Sequence, residues 1–210
     1  QDRLAPVSFS QNPNLVFRRI PLAFHLGPFS SPRLTHHLAR KSEVTSNGRR
    51  ISWECQSGLD LRLLNQERAL LLRASRMLNP RIAWDGGYGQ WPHVRRAVNM
   101  LKKVGYGRKD IFVFMIYNHA IPYREMRKKL DACRRWRVRV IDCRYRPLSS
   151  TKDGYVPGPK RQTEGEYYIH PSWTDAQVRG FRRAVRRQNI AILLDLPNGH
   201  YLAGCETRKV

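Results

Sequence analysis

The chain alternates regularly between apolar runs and amphipathic segments from residue 51 onward. Four short apolar runs have the length and composition of β-strands: 51–55, 81–85, 111–117 and 138–145. Three segments between them repeat apolar residues at helical spacing: 64–78, 92–104 and 122–136. Strands and helices thus alternate at intervals of about 30 residues, the size of a βαβ unit, which predicts a parallel sheet with right-handed crossovers.

Local residue choices support these elements. Gly105 is placed to end the second helix, and Pro122 suits the first turn of the third. The segment 111–117 is apolar at every position, which predicts a strand buried on both faces. An α/β architecture is therefore the expected fold class.

The two flanking regions have a different character. Residues 1–50 are rich in Pro, Ser, Asn, His and Arg and suggest only a strand at 15–17 and a short helix near 34–41. After Pro147 the polar stretch 149–166 predicts a loop, and a helix resumes at Ser172, where residues 172–175 resemble a capping box. Residues 189–196 then predict a last short strand or a C-terminal cover. Three regions result: an irregular N-terminal segment (1–50), an α/β unit (51–148) and a loop with a helical extension (149–210).

The charge of the chain is unusual for a globular protein. The 210 residues carry a formal net charge of +23 with 41% hydrophobic residues, so a sizeable core coexists with a strongly basic surface. Such an excess favours polyanionic partners, because Lys and Arg release counterions when they bind phosphates. The charge is spread over most of the chain, so a solvated Arg-rich surface explains it equally well.

Cysteine spacing and hydropathy indicate the environment of the chain. The four cysteines form no CxxC or CxxxCxxC pattern: Cys55, Cys133, Cys143 and Cys205. A reducing, cytoplasmic location is the expectation. No apolar run approaches the roughly 18 to 20 residues of a membrane span, so no membrane partner is expected.

Polar side chains lie at the carboxyl ends of all four predicted strands, at 56–62, 85–87, 117–119 and 142–146. The carboxyl ends of parallel strands meet at one edge, where α/β proteins bind their ligands, so these groups are expected to face a single site. Each also has a purely structural interpretation. Asp85 before two glycines could start a turn or cap a helix, Asn118 could cap the next helix, and Asp60 could pair with Arg62.

Motifs for other chemistries are missing from the sequence. The seven histidines show no metal-ligand spacing, and His36 and His37 are adjacent, so their side chains would diverge. A P-loop, a GxGxxG fingerprint and a serine nucleophile elbow are also missing. The five tryptophans are expected to pack in the core rather than to stack on bases.

Four phrases occur in order along the chain: ECQSGLDLRLLNQERALLL (54–72), RIAWDGG (81–87), IFVFMIYNHAIPYREMRKKLDACRRWRVRVIDCRYRPL (111–148) and YYIHPSWTDAQVRGFRRAV (167–185). Together they make residues 51–190 resemble the C-terminal part of a radical S-adenosylmethionine (radical SAM) protein. The resemblance implies a partial TIM-type (β/α) barrel with parallel strands over residues 51–148, with a C-terminal helical extension. It also implies that S-adenosylmethionine (SAM) and a 4Fe-4S cluster are the cofactors of the full-length parent.

The resemblance assigns SAM contacts to individual strand ends. Asp60 and Arg62 match the polar end of the third barrel strand, and Asp85 matches the fourth-strand position near the ribose or carboxylate. Of the remaining cofactor-binding positions, two match the fifth strand near adenine and two match the sixth: Tyr117, Asn118, Arg144 and Tyr145. The parent enzyme would cleave SAM reductively to a 5′-deoxyadenosyl radical, with an external electron donor, and would abstract hydrogen from an unknown substrate.

One departure from the family is decisive for activity. The CxxxCxxC loop that supplies three thiolates to the cluster is missing. A truncated product is the favoured interpretation and a degenerate family member is the other, so this chain alone is expected to be inactive.

The principal alternative is a basic nucleic-acid-binding module that uses the Arg-rich runs 124–129 and 179–187. An α/β enzyme of another type remains a third possibility.

Overall fold

The structure is a computed structural model that describes residues 51–150, 153–158 and 160–197, together with the backbone of 45–46 and 49–50. The strand predicted at 15–17 and the helix predicted near 34–41 lie outside the described residues, as does most of the segment 1–50. Within the described part, parallel strands and α-helices alternate along the chain. The predicted α/β class is therefore confirmed.

The strands are short, except for two. In chain order they are β1 (Thr45–Ser46), β2 (Arg49–Arg50), β3 (Trp53–Glu54), β4 (Met77–Leu78), β5 (Arg81–Ala83), β6 (Phe112–Tyr117) and β7 (Arg139–Arg144). The α-helices of the described residues are α1 (Gln66–Ala74), α2 (Trp91–Lys103), α3 (Tyr123–Trp136) and α4 (Asp175–Leu193), and a 3₁₀ turn, Tyr88–Gln90, precedes α2.

β5, β6 and β7 form a parallel sheet in chain order. The register pairs Ala83 with Phe114 and Phe114 with Ile141. On the other side of β5, the bridge between Leu59 and Ile82 adds the segment after β3 as a fourth neighbour. Among the described residues, β5, β6 and β7 thus form an open sheet, while β1 pairs with β2 and β3 with β4 separately.

The first predicted strand does not join this sheet directly. β3 instead pairs in parallel with β4, which precedes β5 by two residues. Those two residues bend the chain, because Asn79 adopts a left-handed φ of 49° and Pro80 has no N–H to donate. The predicted extent of the first helix is also wrong: α1 ends at Ala74, Arg76 adopts a left-handed φ of 59°, and Met77–Leu78 is a strand.

The two faces of the sheet differ in burial. Along β6, the side chains of Val113, Met115 and Tyr117 are fully buried, whereas the alternate residues, at 112, 114 and 116, are half-buried. The buried face packs against the apolar stripes of the helices. The prediction that both faces of this strand are buried is thus wrong for the described residues, which cover one face completely and the other only in part.

Helix ends follow the local chemistry of the sequence, with two corrections. Gly105 ends α2 at a φ of 93°, as predicted, and Pro122 lies just before the first turn of α3. The capping box of α4 is formed by Thr174 and Gln177 rather than by Ser172, because the Ser172 hydroxyl lies 2.8 Å from the His170 imidazole. The last predicted strand is instead helical, since α4 continues to Leu193.

Candidate functional site

The loops after β5, β6 and β7 meet at one end of the sheet, called here the carboxyl edge. Of the seven residues predicted to bind a cofactor, three lie in these loops, within two residues of the end of a strand: Asp85, Asn118 and Tyr145. The others are Asp60, Arg62, Tyr117 and Arg144, which are engaged elsewhere. The carboxyl edge is the candidate site.

The loop after β5 is held by hydrogen bonds from several directions. The Trp84 indole donates to the Gly87 carbonyl at 3.1 Å, and the Gly86 amide donates to the Gln90 side chain at 3.2 Å. The Glu125 carboxylate of α3 accepts a hydrogen bond from the Tyr88 amide. A methyl group on Gly87 would lie 2.7 Å from that carboxylate, so a side chain at this position would have to displace Glu125. The backbone around Asp85 is therefore closely defined.

Lys129 lies behind this loop and was missed by the sequence interpretation. Its side chain is completely buried, and its ammonium donates to the carbonyls of Trp84 at 2.6 Å and Gly86 at 2.9 Å. The ammonium also lies 5.1 Å from the centre of the Trp84 ring. Burial lowers the pKa of Lys129 to about 8, against the opposing influence of nearby Cys133, Asp85 and Glu125.

The sequence does contain a signal for Lys129. It lies on the same stripe of α3 as Met126, Leu130 and Cys133, at the three- and four-residue spacing of a buried helix face. A lysine is rarely fully buried unless its charge has a partner. Its occurrence within an apolar stripe therefore indicates a polar partner inside the fold, which proves to be the end of β5.

Asp85 has the opposite character. Its side chain is exposed, and within the described part of the chain its carboxylate accepts no hydrogen bond. Cys143 of β7 is close enough to be influenced by it: burial raises the pKa of the Cys143 thiol, and the Asp142 and Asp85 carboxylates raise it further. A fixed backbone thus presents an acid that is available to a ligand.

Asn118 is committed to the protein itself. It is fully buried with a left-handed φ of 59°. Its amide nitrogen donates to the carbonyls of Tyr145 at 3.2 Å and Tyr168 at 2.8 Å, and its oxygen accepts from the His170 amide at 2.9 Å. Asn118 therefore joins three loops at the carboxyl edge, and its side-chain amide has little remaining hydrogen-bonding capacity for a ligand.

A group of rings surrounds this junction and is called here the ring cluster: His119, Tyr145, Tyr168 and His170. The centre of the His119 ring lies 4.6 Å from that of Tyr145, and Tyr145 lies 5.9 Å from Tyr168. His170 lies 6.1 Å from His119. All four side chains are partly exposed. Rings in edge-to-face contact keep part of their faces available, so the cluster can stack on a flat heteroaromatic ligand.

The side chains of Tyr117 and Arg144 are engaged on one face of the sheet. Tyr117 is fully buried, with Phe181 and Trp173 at ring distances of 5.1 and 6.1 Å, and burial raises its pKa. Arg144 forms an ion pair with Asp153 and lies 4.6 Å from the centre of the Tyr155 ring. Because strand residues alternate between faces, these two side chains point away from the face that carries Cys143.

Asp60 and Arg62 pair with each other. The Arg62 guanidinium donates to the Asp60 carboxylate at 2.7 Å, and the Arg62 amide donates to the same carboxylate at 2.9 Å. These bonds hold the pKa of Asp60 below its usual value. The structural interpretation of this pair thus matches the observed contacts.

The described cysteines do not form a cluster site. Cys55 is half-buried, Cys133 is buried in α3 and Cys143 is exposed. Burial raises the pKa of the Cys133 thiol, which disfavours the thiolate that iron binds. No group of three or more His, Cys, Asp or Glu side chains within residues 51–150, 153–158 and 160–197 could hold a metal ion.

Comparison with known proteins leaves the family open. No protein-family model matches the chain, and no curated protein is significantly similar to it. In the described ranges, no helix is both long and apolar enough to cross a membrane. The functional interpretation therefore depends on the geometry of the carboxyl edge and on the residues that resemble radical SAM proteins.

Proposed function

We propose that this chain is part of a radical SAM-type protein and contributes one wall of a SAM-binding site at its carboxyl edge. The observation that carries the proposal is the pairing of the exposed Asp85 carboxylate, on a closely held loop, with the ring cluster at the same edge. SAM has chemical groups suited to both. Its cationic groups and ribose hydroxyls suit a carboxylate, and its adenine suits aromatic rings.

The strand order supports a partial (β/α) barrel. In such a barrel, successive parallel strands lie side by side, whereas a doubly wound sheet reverses its order at a switch point. The Leu59 segment, β5, β6 and β7 follow chain order without reversal. The half-buried face of β6 corresponds, in this proposal, to the interior of the barrel.

Asp85 and Tyr145 are the proposed ligand contacts. Asp85 would accept hydrogen bonds from the ribose or from the ammonium group of SAM, a charge-assisted contact worth about 1.5 to 3 kcal/mol. Tyr145, with His119 beside it at 4.6 Å, would stack on adenine, a contact worth about 1 to 3 kcal/mol. Lys129 would act indirectly by holding the Asp85 loop in place.

The iron-sulfur cluster does not fit the described residues. Three thiolates are needed, and the described cysteines lie apart on β7, on α3 and after β3. No reaction step is therefore assigned to this chain. Its proposed contribution is ligand binding, while radical chemistry would belong to the full-length parent with its own electron donor.

Isothermal titration calorimetry of the full 210-residue chain with SAM and with S-adenosylhomocysteine tests the proposal. We expect saturable, weak SAM binding with a dissociation constant of about 0.1 to 1 mM, since the described residues supply only one wall of the proposed site. Asp85→Asn is expected to weaken binding roughly tenfold, which equals about 1.4 kcal/mol. Tyr145→Ala is expected to weaken binding to both ligands.

Asp60→Asn is the matched control. It removes the same charge from the other predicted carboxylate, which pairs with Arg62, and it should leave SAM affinity unchanged. Lack of saturable binding to the wild-type chain up to about 5 mM would overturn the proposal. Anaerobic reconstitution with iron and sulfide provides the second test: an iron–sulfur absorbance would contradict the inference that this chain holds no cluster.

A further inference from the structure

The outward face of α2 is basic and free of acids. Between Asp85 and Asp110 the sequence contains six Lys or Arg residues and no Asp or Glu. Four of the six lie on α2: Arg95, Arg96, Lys102 and Lys103. All four side chains are exposed, as is Asn99 between them. Because these positions recur every three or four residues, they form a single stripe, called here the basic stripe.

The basic stripe borders a shallow open groove. The groove has a volume of about 610 Å³, and its lining includes the whole stripe together with Trp91. The Arg95 guanidinium lies 5.9 Å from the centre of the Trp91 ring. From Arg95 to Lys103 the stripe runs about 12 Å along the helix axis. An extended anion with several charges would contact all of it at once.

The positive charge here is not neutralised by the described residues. Lys102 donates one hydrogen bond to the Trp136 carbonyl at 2.6 Å, a neutral acceptor that leaves the charge of the ammonium uncompensated. Its pKa is lowered first by burial and then by the nearby Arg108 and Arg137. Arg108 and Arg137 share one acid, Asp195. The cations around α2 thus outnumber their partners among the described residues.

We propose that the basic stripe of α2 binds the phosphodiester backbone of a nucleic acid. Lys and Arg side chains would contact phosphates, and Asn99 would donate hydrogen bonds to the same backbone. This surface lies outside the proposed SAM contacts, so it does not depend on the radical SAM interpretation.

The composition of the face favours nucleic acid over a membrane surface. A helix that lies in a membrane interface needs an accessible apolar face. The apolar face of α2 is buried in the core through Val94, Ala97, Val98 and Leu101. Among the described residues, none of the exposed large aliphatic side chains belongs to α2. Electrostatic contact with phosphates is the interaction that remains.

The structure also separates this surface from the Arg-rich runs noted in the sequence. Lys129, in the run 124–129, is fully buried against Trp84 and Gly86. Arg179, in the run 179–187, is also buried, and its guanidinium contacts the Gly158 carbonyl and Asp175. Each run thus contains a buried cation, whereas all four cations of the stripe on α2 are exposed and only Lys102 among them is hydrogen-bonded to a backbone carbonyl.

Fluorescence anisotropy with a labelled DNA duplex of about 20 base pairs tests the proposal on the full chain, over a range of salt concentrations. We expect binding at low salt, with affinity falling linearly on a log–log plot. Arg95→Gln/Arg96→Gln keeps good helix formers and removes two cations, so the slope should become shallower by about 1.8. Affinity at about 50 mM salt should fall at least tenfold.

Arg124→Gln/Lys128→Gln is the matched control, because it removes two exposed cations from α3 without touching α2. It should leave both the slope and the affinity close to wild type. An equal loss in the two double variants would overturn the proposal, since it would assign binding to net charge alone. Lack of duplex binding at low salt would overturn it as well, and so would stronger binding to vesicles with about 30% anionic lipid than to the duplex. Circular dichroism checks that each variant is folded.

Discussion

The ammonium of Lys129 donates a hydrogen bond to the backbone carbonyl of Trp84 at 2.6 Å. This contact joins the middle of α3 to the end of β5 across the core, and the same ammonium continues to the Gly86 carbonyl. Strand carbonyls at the end of a sheet have no ladder partner and need another donor when they are buried. Lys129 thus supplies a donor to the carbonyl of Trp84, which lies between the end of β5 and the exposed Asp85.

The first prediction concerns the pH dependence of this contact. The folded-state pKa of Lys129, about 8, lies below its unfolded value of about 10.4. Between these values the unfolded chain binds more protons, so this group makes the protein more stable as pH rises. Relative to Lys129→Met, the free energy of unfolding of the wild-type protein should therefore increase by about 2 kcal/mol between about pH 7 and 9.5.

Urea denaturation of both proteins at several pH values provides the measurement. The difference between the two proteins is the readout, because the buried Cys133 thiol, whose pKa is raised, destabilises both of them as pH rises. A neutral amine keeps two N–H groups, so both carbonyl bonds can survive deprotonation. A difference that stays constant across this range would contradict the burial of an ionisable Lys129.

The second prediction concerns the two glycines of the loop after β5. A Cβ at Gly87 would lie 2.7 Å from the Glu125 carboxylate, whereas a Cβ at Gly89 would meet no atom within 4 Å. Gly87→Ala should displace Glu125 from the Tyr88 amide and lower the free energy of unfolding by about 1 to 3 kcal/mol.

Gly89→Ala is the matched control for this substitution. It should be neutral or should stabilise the protein by up to about 1 kcal/mol, because it restricts the unfolded chain without a clash. Thermal and urea unfolding of the two variants provide the comparison. Equal effects at both positions would show that Glu125 does not hold this loop.

The third prediction separates the two properties of Asn118. Asn118→Ala removes three hydrogen bonds and also places alanine, which adopts left-handed φ values less readily than asparagine, at a φ of 59°. Asn118→Gly removes the same bonds but accepts that φ freely. Both should destabilise the protein by at least about 2 kcal/mol, and the alanine variant should be worse by about 1 kcal/mol.

Stability measurements on this pair also bear on the site. If Asn118 joins three loops of the carboxyl edge, amide hydrogen exchange should become faster at Tyr145 and His170 in both variants. Unchanged stability in both variants would instead show that the side chain is available to a ligand, as the sequence resemblance implies.

The fourth prediction concerns the start of α4. The Thr174 side chain accepts a hydrogen bond from the Gln177 amide at 3.3 Å, and the Gln177 side chain accepts one from the Thr174 amide at 3.1 Å. Thr174→Ala should therefore cost about 1 kcal/mol of stability. Ser172→Ala, which alters the residue that the sequence pattern suggests, should cost less because Ser172 does not cap the helix. The reverse order of the two effects in urea unfolding would contradict this assignment.

The periodicity of the sequence is sufficient for the order of elements. Helices α2 and α3 bury one stripe each, and β6 is a continuous apolar run, so their spacing alone predicts alternating strands and helices. Gly105 likewise marks a helix end by itself, because only a left-handed residue fits there. These features are local, and local chemistry decides them.

The composition of the site depends on contacts between distant parts of the chain. Polar residues after each strand predict that a site lies at the carboxyl edge, but they do not show which side chains are free. Arg144 forms an ion pair with Asp153, and Asn118 forms hydrogen bonds with the backbone of Tyr168 and His170. Only the folded arrangement distinguishes these committed groups from the exposed Asp85.

Taken by itself, the sequence determined the α/β order, the helix stripes and the excess of positive charge, because each of these follows from residue type and spacing. Tertiary structure decided that Lys129 donates to the Trp84 carbonyl just after β5, that Asp85 remains exposed and that four cations share one exposed face of α2. The physical reason is that a charged or polar side chain is satisfied by whichever donor or acceptor the fold brings near, and residues far apart in sequence supply most of those partners.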